Sequence, residues 1–272
     1  MRIIADLDTL REWRSGLPES ARIGCVPTMG ALHAGHQSLL LRARKSNSHV
    51  VMSLFVNRTQ FNDPEDFDAY PDTQQEDLEM AKTSGVDVVF MPEYDDLYPD
   101  KYRFRVSETD QSLKLEGRSR PGHFDGVLTV VLKLLLLIRP HEAFFGEKDY
   151  QQYELIRDMV KSLFLDIDIV SCPTIRDADG LAYSSRNLRL SPEARARASA
   201  FPSILRSADS ADSACQKLEA TGFEVEYVED REGRRFGAVS LEGIRLIDNL
   251  ALEPSVPVAI SDKAGAKTEE VI

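Results

Sequence analysis

The fold of this chain is decided by the stretch Val26-Pro27-Thr28-Met29-Gly30-Ala31-Leu32-His33-Ala34-Gly35-His36-Gln37-Ser38-Leu39-Leu40. An apolar strand over residues 23–26 leads into it, and a helix that offers Leu39 and Leu40 to a core follows. Such a junction presents backbone N–H groups and the positive end of a helix dipole to a ligand. Gly30 and Gly35 allow the backbone to come close to that ligand. The stretch therefore predicts an anion site, and a polyphosphate fits it.

The two histidines of this loop allow three interpretations. His33 and His36 are three residues apart, so their rings lie on one side of a helical turn, where cationic or hydrogen-bond-donating imidazoles suit an anion. Two surface histidines near a turn are the plainer alternative. A zinc site is the third, but the chain supplies no H-E-x-x-H motif and no cysteine ligand set. The longer string T-M-G-A-L-H-A-G-H after a strand favours the phosphate site.

Size and composition fit a globular protein with ordinary hydrophobic content. The chain has 272 residues, of which 42% are hydrophobic and 29% charged, and this length allows two domains. The net charge of -12 argues against a nucleic-acid surface, which needs basic stripes. A nucleotide is compatible with this charge, because it needs only a local basic pocket.

We expect a cytoplasmic protein without a membrane segment. The N-terminus lacks the apolar core of a signal peptide. The longest apolar run, residues 127–138, contains Lys133 and is too short to cross a bilayer. Cys25, Cys172 and Cys215 are widely spaced and odd in number, which is typical of reduced thiols.

Apolar runs alternate with helical patterns along the first part of the chain. Thr73 and Glu76 match a capping box at the start of one helix. The predicted strands cover residues 23–26, 49–55, 86–90, 142–145 and 167–170, and the predicted helices cover 6–15, the segment after the histidines, 73–84, 122–138 and 148–163. This alternation predicts an α/β protein with a doubly wound parallel sheet, whose ligands lie at the carboxyl ends of the strands.

The composition changes near Pro173, which suggests a second domain. Beyond that point strand signals are short and mixed with helices, and Ser191-Pro192 matches an N-cap followed by a first helical position. We expect a first domain over residues 1–174 and a smaller C-terminal α+β domain over 175–272. Residues 253–272 lack periodicity and are expected to form a mobile tail.

Three further motifs carry polar chemistry. In F-F-G-E-K-D, residues 144–149, Lys148 stands at a helix start, which is unfavourable unless an anion binds there. Gln152 shares its face. The alternative is a solvated charge cluster. The string Y-S-S-R-N, residues 183–187, can wrap phosphates but is a weak signal alone. Residues 115–126 add two arginines and His123 before the long helix, as either a solvated loop or a helix-start cluster.

Taken together, these motifs resemble those of the pantoate–β-alanine ligase family. The strings T-M-G-A-L-H-x-G-H, F-V-N-x-T-Q-F, L-E-G-x-x-R-P-G-H-F-x-G-V, F-F-G-E-K-D-Y-Q-Q, D-G-L-A-x-S-S-R-N and R-L-I-D-N occur in that family's order between about residues 23 and 249. The H-x-G-H signature is also similar to that of nucleotidyltransferases with a Rossmann-like domain. Several motifs in matching order are far more specific than any single one.

The resemblance implies a two-step reaction. ATP and (R)-pantoate form a pantoyl adenylate with release of pyrophosphate, and the amine of β-alanine then displaces AMP to give pantothenate. It also implies a Rossmann-like fold, Mg²⁺ that accompanies ATP, and a homodimer formed through the first domain. No nucleic acid or membrane is implied as a partner.

The resemblance also implies roles for individual residues. The expected catalytic residues are His36, His33, Lys148, Ser184, Ser185 and Arg186, with His36 as a proton donor. The expected ATP site comprises Met29, Gly30, Ala31, Leu32, His33, Ala34, Gly35, His36, Gly146, Glu147, Lys148, Asp149, Ile175, Tyr183, Ser184, Ser185 and Arg186. Gln60 and Gln152 are expected to bind pantoate, and Gln60 also β-alanine. Glu76 and Asp77 lie where the family can offer carboxylates, but we assign no protein ligand to the metal.

Two departures from the family pattern bear on the site. Arg58 stands where the family usually has proline, so we expect a looser loop around Gln60 and an added charge near an anionic substrate. Tyr183 replaces the usual Met or Leu before S-S-R. Two rival functions remain, a related nucleotidyltransferase acting on a mononucleotide or a phosphopantetheine and a nucleotide-binding protein that has lost turnover.

Overall fold

The computed structural model describes residues 1–252, apart from the side chain of Asp66. The predicted tail over 253–272 lies outside the described residues. The strands are β1 (Arg2–Ile4), β2 (Ile23–Thr28), β3 (His49–Leu54), β4 (Val88–Phe90), β5 (Glu142–Gly146), β6 (Asp168–Cys172), β7 (Glu224–Arg231), β8 (Arg234–Leu241) and β9 (Ile244–Ala251). The helices are α1 (Leu7–Ser15), α2 (Ala34–Ser46), α3 (Pro64–Asp68), α4 (Gln74–Thr83), α5 (Tyr94–Leu97), α6 (Glu116–Ser119), α7 (His123–Ile138), α8 (Tyr150–Ser162), α9 (Pro192–Ala198), α10 (Ala200–Ser207) and α11 (Ala211–Ala220).

Six parallel strands form the first sheet, in the order β1-β4-β3-β2-β5-β6. The neighbouring strands β2 and β5 pair through Gly24–Glu142 and Cys25–Ala143. The strand that follows β2 in the chain, β3, lies on one side of this pair, and the strand that follows β5, β6, lies on the other. The crevice between such strands, at their carboxyl ends, is the usual ligand site of a doubly wound sheet. The predicted fold class is confirmed.

Alternating strand residues build a core on each face of this sheet. Ile23, Cys25 and Val51 face the cluster that α1, α7 and α8 cover, whereas Val26 and Met52 face the cluster that α2 and α4 cover. This two-sided burial explains why the strands are almost continuously apolar in sequence. Among the described helices, none is both long and apolar enough to cross a membrane.

Three antiparallel strands form the second sheet, in the order β7-β8-β9. Phe201 and Leu205 of α10 and Leu218 of α11 pack on it with Val239 and Leu246. The small α+β unit expected from the C-terminal sequence is therefore present.

The predicted capping box at Thr73 is wrong. The Thr73 side chain caps no backbone N–H of α4, because its hydroxyl donates to the carboxylate of Asp77 at 3.2 Å. The helix predicted from Lys148 begins at Tyr150, since residues 147–149 form a 3₁₀ turn. The Ser191 N-cap is confirmed, with its side chain accepting from the N–H of Ala194.

A buried carboxylate links the segment before α7 to the second sheet. Glu116 of α6 is 9% exposed and accepts two hydrogen bonds from the guanidinium of Arg245, at 2.7 and 2.8 Å, and one from the hydroxyl of Tyr227 at 2.6 Å. Burial opposes the charge on Glu116, but these hydrogen bonds and the charge of Arg245 outweigh burial and lower the pKa of Glu116. The ion pair therefore holds the second sheet against the segment before α7.

Replacing Glu116 with alanine should lower the free energy of unfolding by about 3 kcal/mol, because the buried hydroxyl of Tyr227 loses its acceptor and the partly buried guanidinium of Arg245 keeps only its pair with Glu226. Urea denaturation measures the change. Arg118→Ala is the matched control, because it removes a second ion pair between the same regions, Arg118–Glu229. The side chain of Arg118 is 55% exposed. That control should cost less than about 1 kcal/mol. Equal losses in the two variants would contradict the assignment.

Candidate active site

The loop between β2 and α2 brings both predicted histidines to the carboxyl end of β2. His33 is the N-cap of α2, and its Nδ1 accepts the backbone N–H of Gly35 at 3.1 Å. The Nδ1 of His36 accepts the backbone N–H of His33 at 3.3 Å. A backbone N–H can only donate, so each neutral ring carries its hydrogen on Nε2. The centroids of the two rings lie 4.2 Å apart, so the rings offer two N–H donors side by side.

Both histidines are neutral in the free protein at pH 7. Burial and the charge of Lys148 lower the pKa of His33 to about 4. Burial, His33 and Lys148 lower the pKa of His36 to about 3. Of the two expectations from sequence, donating imidazoles are therefore favoured over cationic ones. A polyanion can accept hydrogen bonds from both rings without prior protonation.

The second predicted motif lies next to this loop because β5 is the neighbour of β2. Gly146 ends β5, and the Lys148 ammonium lies 3.5 Å from a carboxylate oxygen of Asp149. The side-chain amide of Asn249, in β9, donates to the carbonyls of Glu147 and Lys148 at 2.9 Å each. The second sheet thus holds the backbone that presents Lys148.

A cavity of about 260 Å³ lies above these strands, and most predicted residues line it. Those that do are Met29, His33, Gly35, His36, Gln60, Gly146, Lys148, Asp149, Gln152, Ile175, Tyr183, Ser184, Ser185 and Arg186. It adjoins a larger cleft of about 660 Å³ that shares Lys148, Gln152 and Arg186 with it.

Five residues of the expected ATP site do not line either cavity. Gly30, Ala31 and Leu32 form the turn below the histidines, and Ala34 is the first residue of α2. The carboxylate of Glu147 accepts from the hydroxyl of Ser171 at 3.2 Å and lies 3.8 Å from the guanidinium of Arg234, so it faces the second sheet.

The segment from Tyr183 to Asn187 covers one side of the cavity. The Tyr183 ring stacks near His33, with centroids 6.2 Å apart and planes at 23°. The Ser184 hydroxyl caps the following 3₁₀ turn by accepting the N–H of Arg186. Upstream, Arg176 donates to both carboxylate oxygens of Asp248 at 2.6 and 2.8 Å, which ties this segment to β9.

Gln60 is fixed by a residue that sequence reasoning did not single out. The amide nitrogen of Asn57 donates to Gln60 Oε1 at 3.0 Å and to the carbonyl of Gly126 at 3.2 Å. The Asn57 oxygen in turn accepts from the hydroxyl of Tyr98 at 3.0 Å. With its oxygen engaged, Gln60 offers its NH₂ group, which lies 3.1 Å from the sulfur of Met29. The signal for Asn57 was its place in the F-V-N-x-T-Q-F motif.

The structure places the charge of Arg58 outside the two cavities, unlike the expectation of a charge near the substrate. Its guanidinium lies 4.0 Å from the centroid of the Tyr94 ring, and Arg58 lines neither of the two cavities described above. The neighbouring Asn57 is extended and hydrogen-bonded, and Gln60 is buried. The cation–π contact and the Asn57 bonds therefore keep the loop ordered without proline.

His123 and the start of α7 complete the cavity. The buried ring of His123 donates from Nδ1 to the carbonyl of Gln60 at 2.8 Å and accepts from Arg120 at 3.2 Å. Burial and the charge of Arg120 lower the pKa of His123 to about 4. Sequence reasoning missed the apolar cavity wall that follows on this helix, made of Val127, Val130, Val131 and Leu134. The apolar run itself was the available signal.

The three lowered pKa values predict an acid-sensitive stability. An unfolded histidine has a pKa of about 6.5, so between about pH 6.5 and 4 the unfolded chain binds more protons than the folded one. The free energy of unfolding should therefore fall as the pH falls through this window. Urea unfolding at several pH values measures the slope, and His123→Asn should make it shallower. An unchanged slope in that variant would show that His123 does not titrate as described.

The matches of this chain to a family model and to curated proteins agree with one another. The model of the family described as pantoate-beta-alanine ligase matches residues 2–251. The pantothenate synthetase of Bdellovibrio bacteriovorus is 51% identical over 251 residues, which cover 92% of this chain and 99% of that protein. That of Legionella pneumophila strain Lens is 49% identical over 252 residues, covering 93% and 100%.

Solved structures extend the match to three dimensions. The pantoate-beta-alanine ligase of Francisella tularensis, complexed with beta-gamma ATP and beta-alanine, superposes with a TM-score of 0.88 at 41% identity, covering 92% of this chain and 97% of that one. Pantothenate synthetase of Thermus thermophilus gives 0.86 at 38% identity, covering 93% and 100%. The resemblance inferred from the motifs is confirmed, and with it the prediction of a ligase. This chain belongs to the pantoate–β-alanine ligase family.

Proposed function

We propose that this cavity joins (R)-pantoate to β-alanine through a pantoyl adenylate. A carboxylate oxygen of pantoate attacks the α-phosphorus of ATP, and the bond from that phosphorus to the bridging oxygen breaks, releasing pyrophosphate. The amine of β-alanine then attacks the acyl carbon, AMP leaves, and the amine gives up a proton. The observation that carries this proposal is the convergence of paired imidazole N–H donors with Lys148 in one cavity at the meeting point of β2 and β5.

In this proposal the protein supplies charge and position, not a nucleophile. The Nε2–H groups of His33 and His36 donate to phosphate oxygens, and Lys148 compensates the charge that develops on the α-phosphate. Ser184, Ser185 and Arg186 close on the phosphates from the opposite wall, while Ile175 and Tyr183 border the base. His36 as a proton donor requires that the bound polyphosphate raise its pKa from the low value of the free protein.

Gln60 and Gln152 are proposed to bind the hydroxyl and carboxylate groups of pantoate. Gln60 is suited to this because Asn57 leaves its NH₂ group as the donor. The apolar side of α7 offers Val127, Val130 and Val131 to the two methyl groups of pantoate. Gln60 is also proposed to contact β-alanine.

Mg²⁺ would enter with ATP, held mainly by phosphate oxygens and water. Over residues 1–252 there is no cluster of three or more His, Cys, Asp or Glu side chains placed to bind a metal ion. We also propose that residues 1–174 bind the substrates and that the part beyond 175 closes on the nucleotide. A homodimer through the first part and a cytoplasmic location stay predictions, and sedimentation equilibrium would test the dimer.

The reaction is tested by following pyrophosphate and AMP released from ATP and Mg²⁺. Pyrophosphate should form with pantoate alone, and AMP should appear when β-alanine is added. If neither product forms with both substrates while ATP still binds, the rival binding protein is favoured. If pyrophosphate forms with a mononucleotide or a phosphopantetheine as acceptor, the rival transferase is favoured.

Lys148→Met should lower kcat of this assay about 100- to 1000-fold, because the developing phosphate charge loses its cation. Lys161→Met is the matched control, since Lys161 is exposed in the last turn of α8, the helix that follows Lys148. Near-normal turnover of Lys148→Met would remove this residue from the mechanism.

Arg58→Pro should keep kcat/KM within about twofold of the wild type. The position opens a 3₁₀ turn and follows an extended residue, Asn57 at φ −86° and ψ 99°, so both match what proline requires. The substitution removes the contact with Tyr94, and steady-state kinetics measure the result. A collapse of activity would show that Arg58 acts in turnover.

A further inference from the structure

Asp77 is the most deeply buried carboxylate near the histidine loop that the proposed mechanism does not use. It lies in the first turns of α4, is 2% exposed, and faces the underside of the loop between β2 and α2. Its Oδ2 accepts the backbone N–H of Ala31 at 2.9 Å, and its Oδ1 accepts that of Leu32 at 2.7 Å. The hydroxyl of Thr73 adds a third hydrogen bond at 3.2 Å.

The loop needs such a partner because its backbone is unusual. Gly30 and Ala31 both have positive φ, 83° and 50°. For alanine the left-handed conformation is unfavourable, and it persists only when the surroundings hold it. Successive N–H groups in such a turn form a concave site for an anion. The buried carboxylate occupies this concave site from below, and its charge strengthens both hydrogen bonds.

This contact governs where the imidazoles point. Leu32 immediately precedes His33, whose own N–H is the donor to Nδ1 of His36. A shift of the backbone at Ala31 and Leu32 therefore moves both rings together. A carbon added at Gly30 would lie 3.0 Å from Asp77 Oδ2, so the carboxylate and the turn are packed closely.

We propose that Asp77 is a positioning residue, whose buried carboxylate fixes the turn that aims the Nε2–H groups of His33 and His36 at the phosphates. The proposal rests on the proposed function only for its effect on turnover. Both oxygens of Asp77 accept backbone N–H bonds, which suits this role better than metal ligation. Its neighbour Glu76 is exposed and has no such contact among the hydrogen bonds of the described residues.

The test compares Asp77→Asn with Glu76→Gln, the matched loss of one charge at the adjacent residue. Asparagine keeps the shape but turns an NH₂ group towards a backbone N–H. We expect kcat to fall about 100-fold, as for a misplaced catalytic group. The Mg²⁺ concentration that gives half-maximal rate should stay unchanged. Glu76→Gln should stay within about twofold in both quantities.

A second readout does not depend on turnover. Imidazole resonances of the free protein, followed by NMR against pH, should shift for His33 and His36 in Asp77→Asn, and their pKa values should move towards about 6.5 as the rings become more exposed. The resonance of His123 should keep its wild-type titration. This readout decides the positioning role even if the proposed reaction fails.

Three results would overturn the proposal. The first is an Asp77→Asn variant with wild-type imidazole resonances. The second is a variant whose turnover returns at high Mg²⁺, which would make Asp77 a metal ligand. If Asp77→Asn does not fold, Thr73→Val decides, because it removes only the third hydrogen bond and should shift the same two resonances by a smaller amount. The third overturning result is a Thr73→Val variant in which the His33 and His36 resonances do not shift.

Discussion

The pairing of β2 with β5 is the constraint on which the rest of this structure depends. These neighbouring parallel strands lead onward to opposite sides of the sheet, so a crevice opens at their carboxyl ends. The histidine loop follows one strand and the Lys148 turn follows the other. Two motifs more than a hundred residues apart in the chain therefore share one cavity because two strands share hydrogen bonds.

The second sheet contributes to this crevice mainly by holding backbone in place. Asn249 binds two carbonyls of the Lys148 turn, Asp248 holds Arg176 upstream of the segment from Tyr183 to Asn187, and Arg245 binds Glu116. The residues that make these polar contacts all lie within residues 245–249 of β9. Charged and amide contacts of this kind are directional, so they fix the register of the two parts more tightly than apolar packing would. The R-L-I-D-N motif is thus explained by contacts across the cleft.

Most of the fold and the placement of the predicted motifs could be inferred from sequence, because apolar periodicity and strand–loop–helix order are local signals. Two of the failures arise because another partner takes the side chain. Thr73 matched a cap by spacing, yet its hydroxyl binds Asp77, and Asp77 itself binds a turn 46 positions away. Arg58 suggested a charge in the site, yet its guanidinium lies over the ring of Tyr94 in α5. The turn that Asp77 binds and the ring that Arg58 contacts are distant in sequence, and no local pattern encodes them.

The protonation state of the histidines shows why the site is built from donors as well as cations. Lys148 already places a positive charge beside His33, and it lowers the pKa of both rings. Two further buried cations would repel it and one another in the free protein, at a cost that grows as the dielectric falls. Neutral rings avoid that cost, and the backbone N–H groups that occupy each Nδ1 leave each Nε2–H free to face the ligand. A polyphosphate that enters adds negative charge next to these rings and favours their protonation, so the site gains positive charge only when the anion is present to stabilise it.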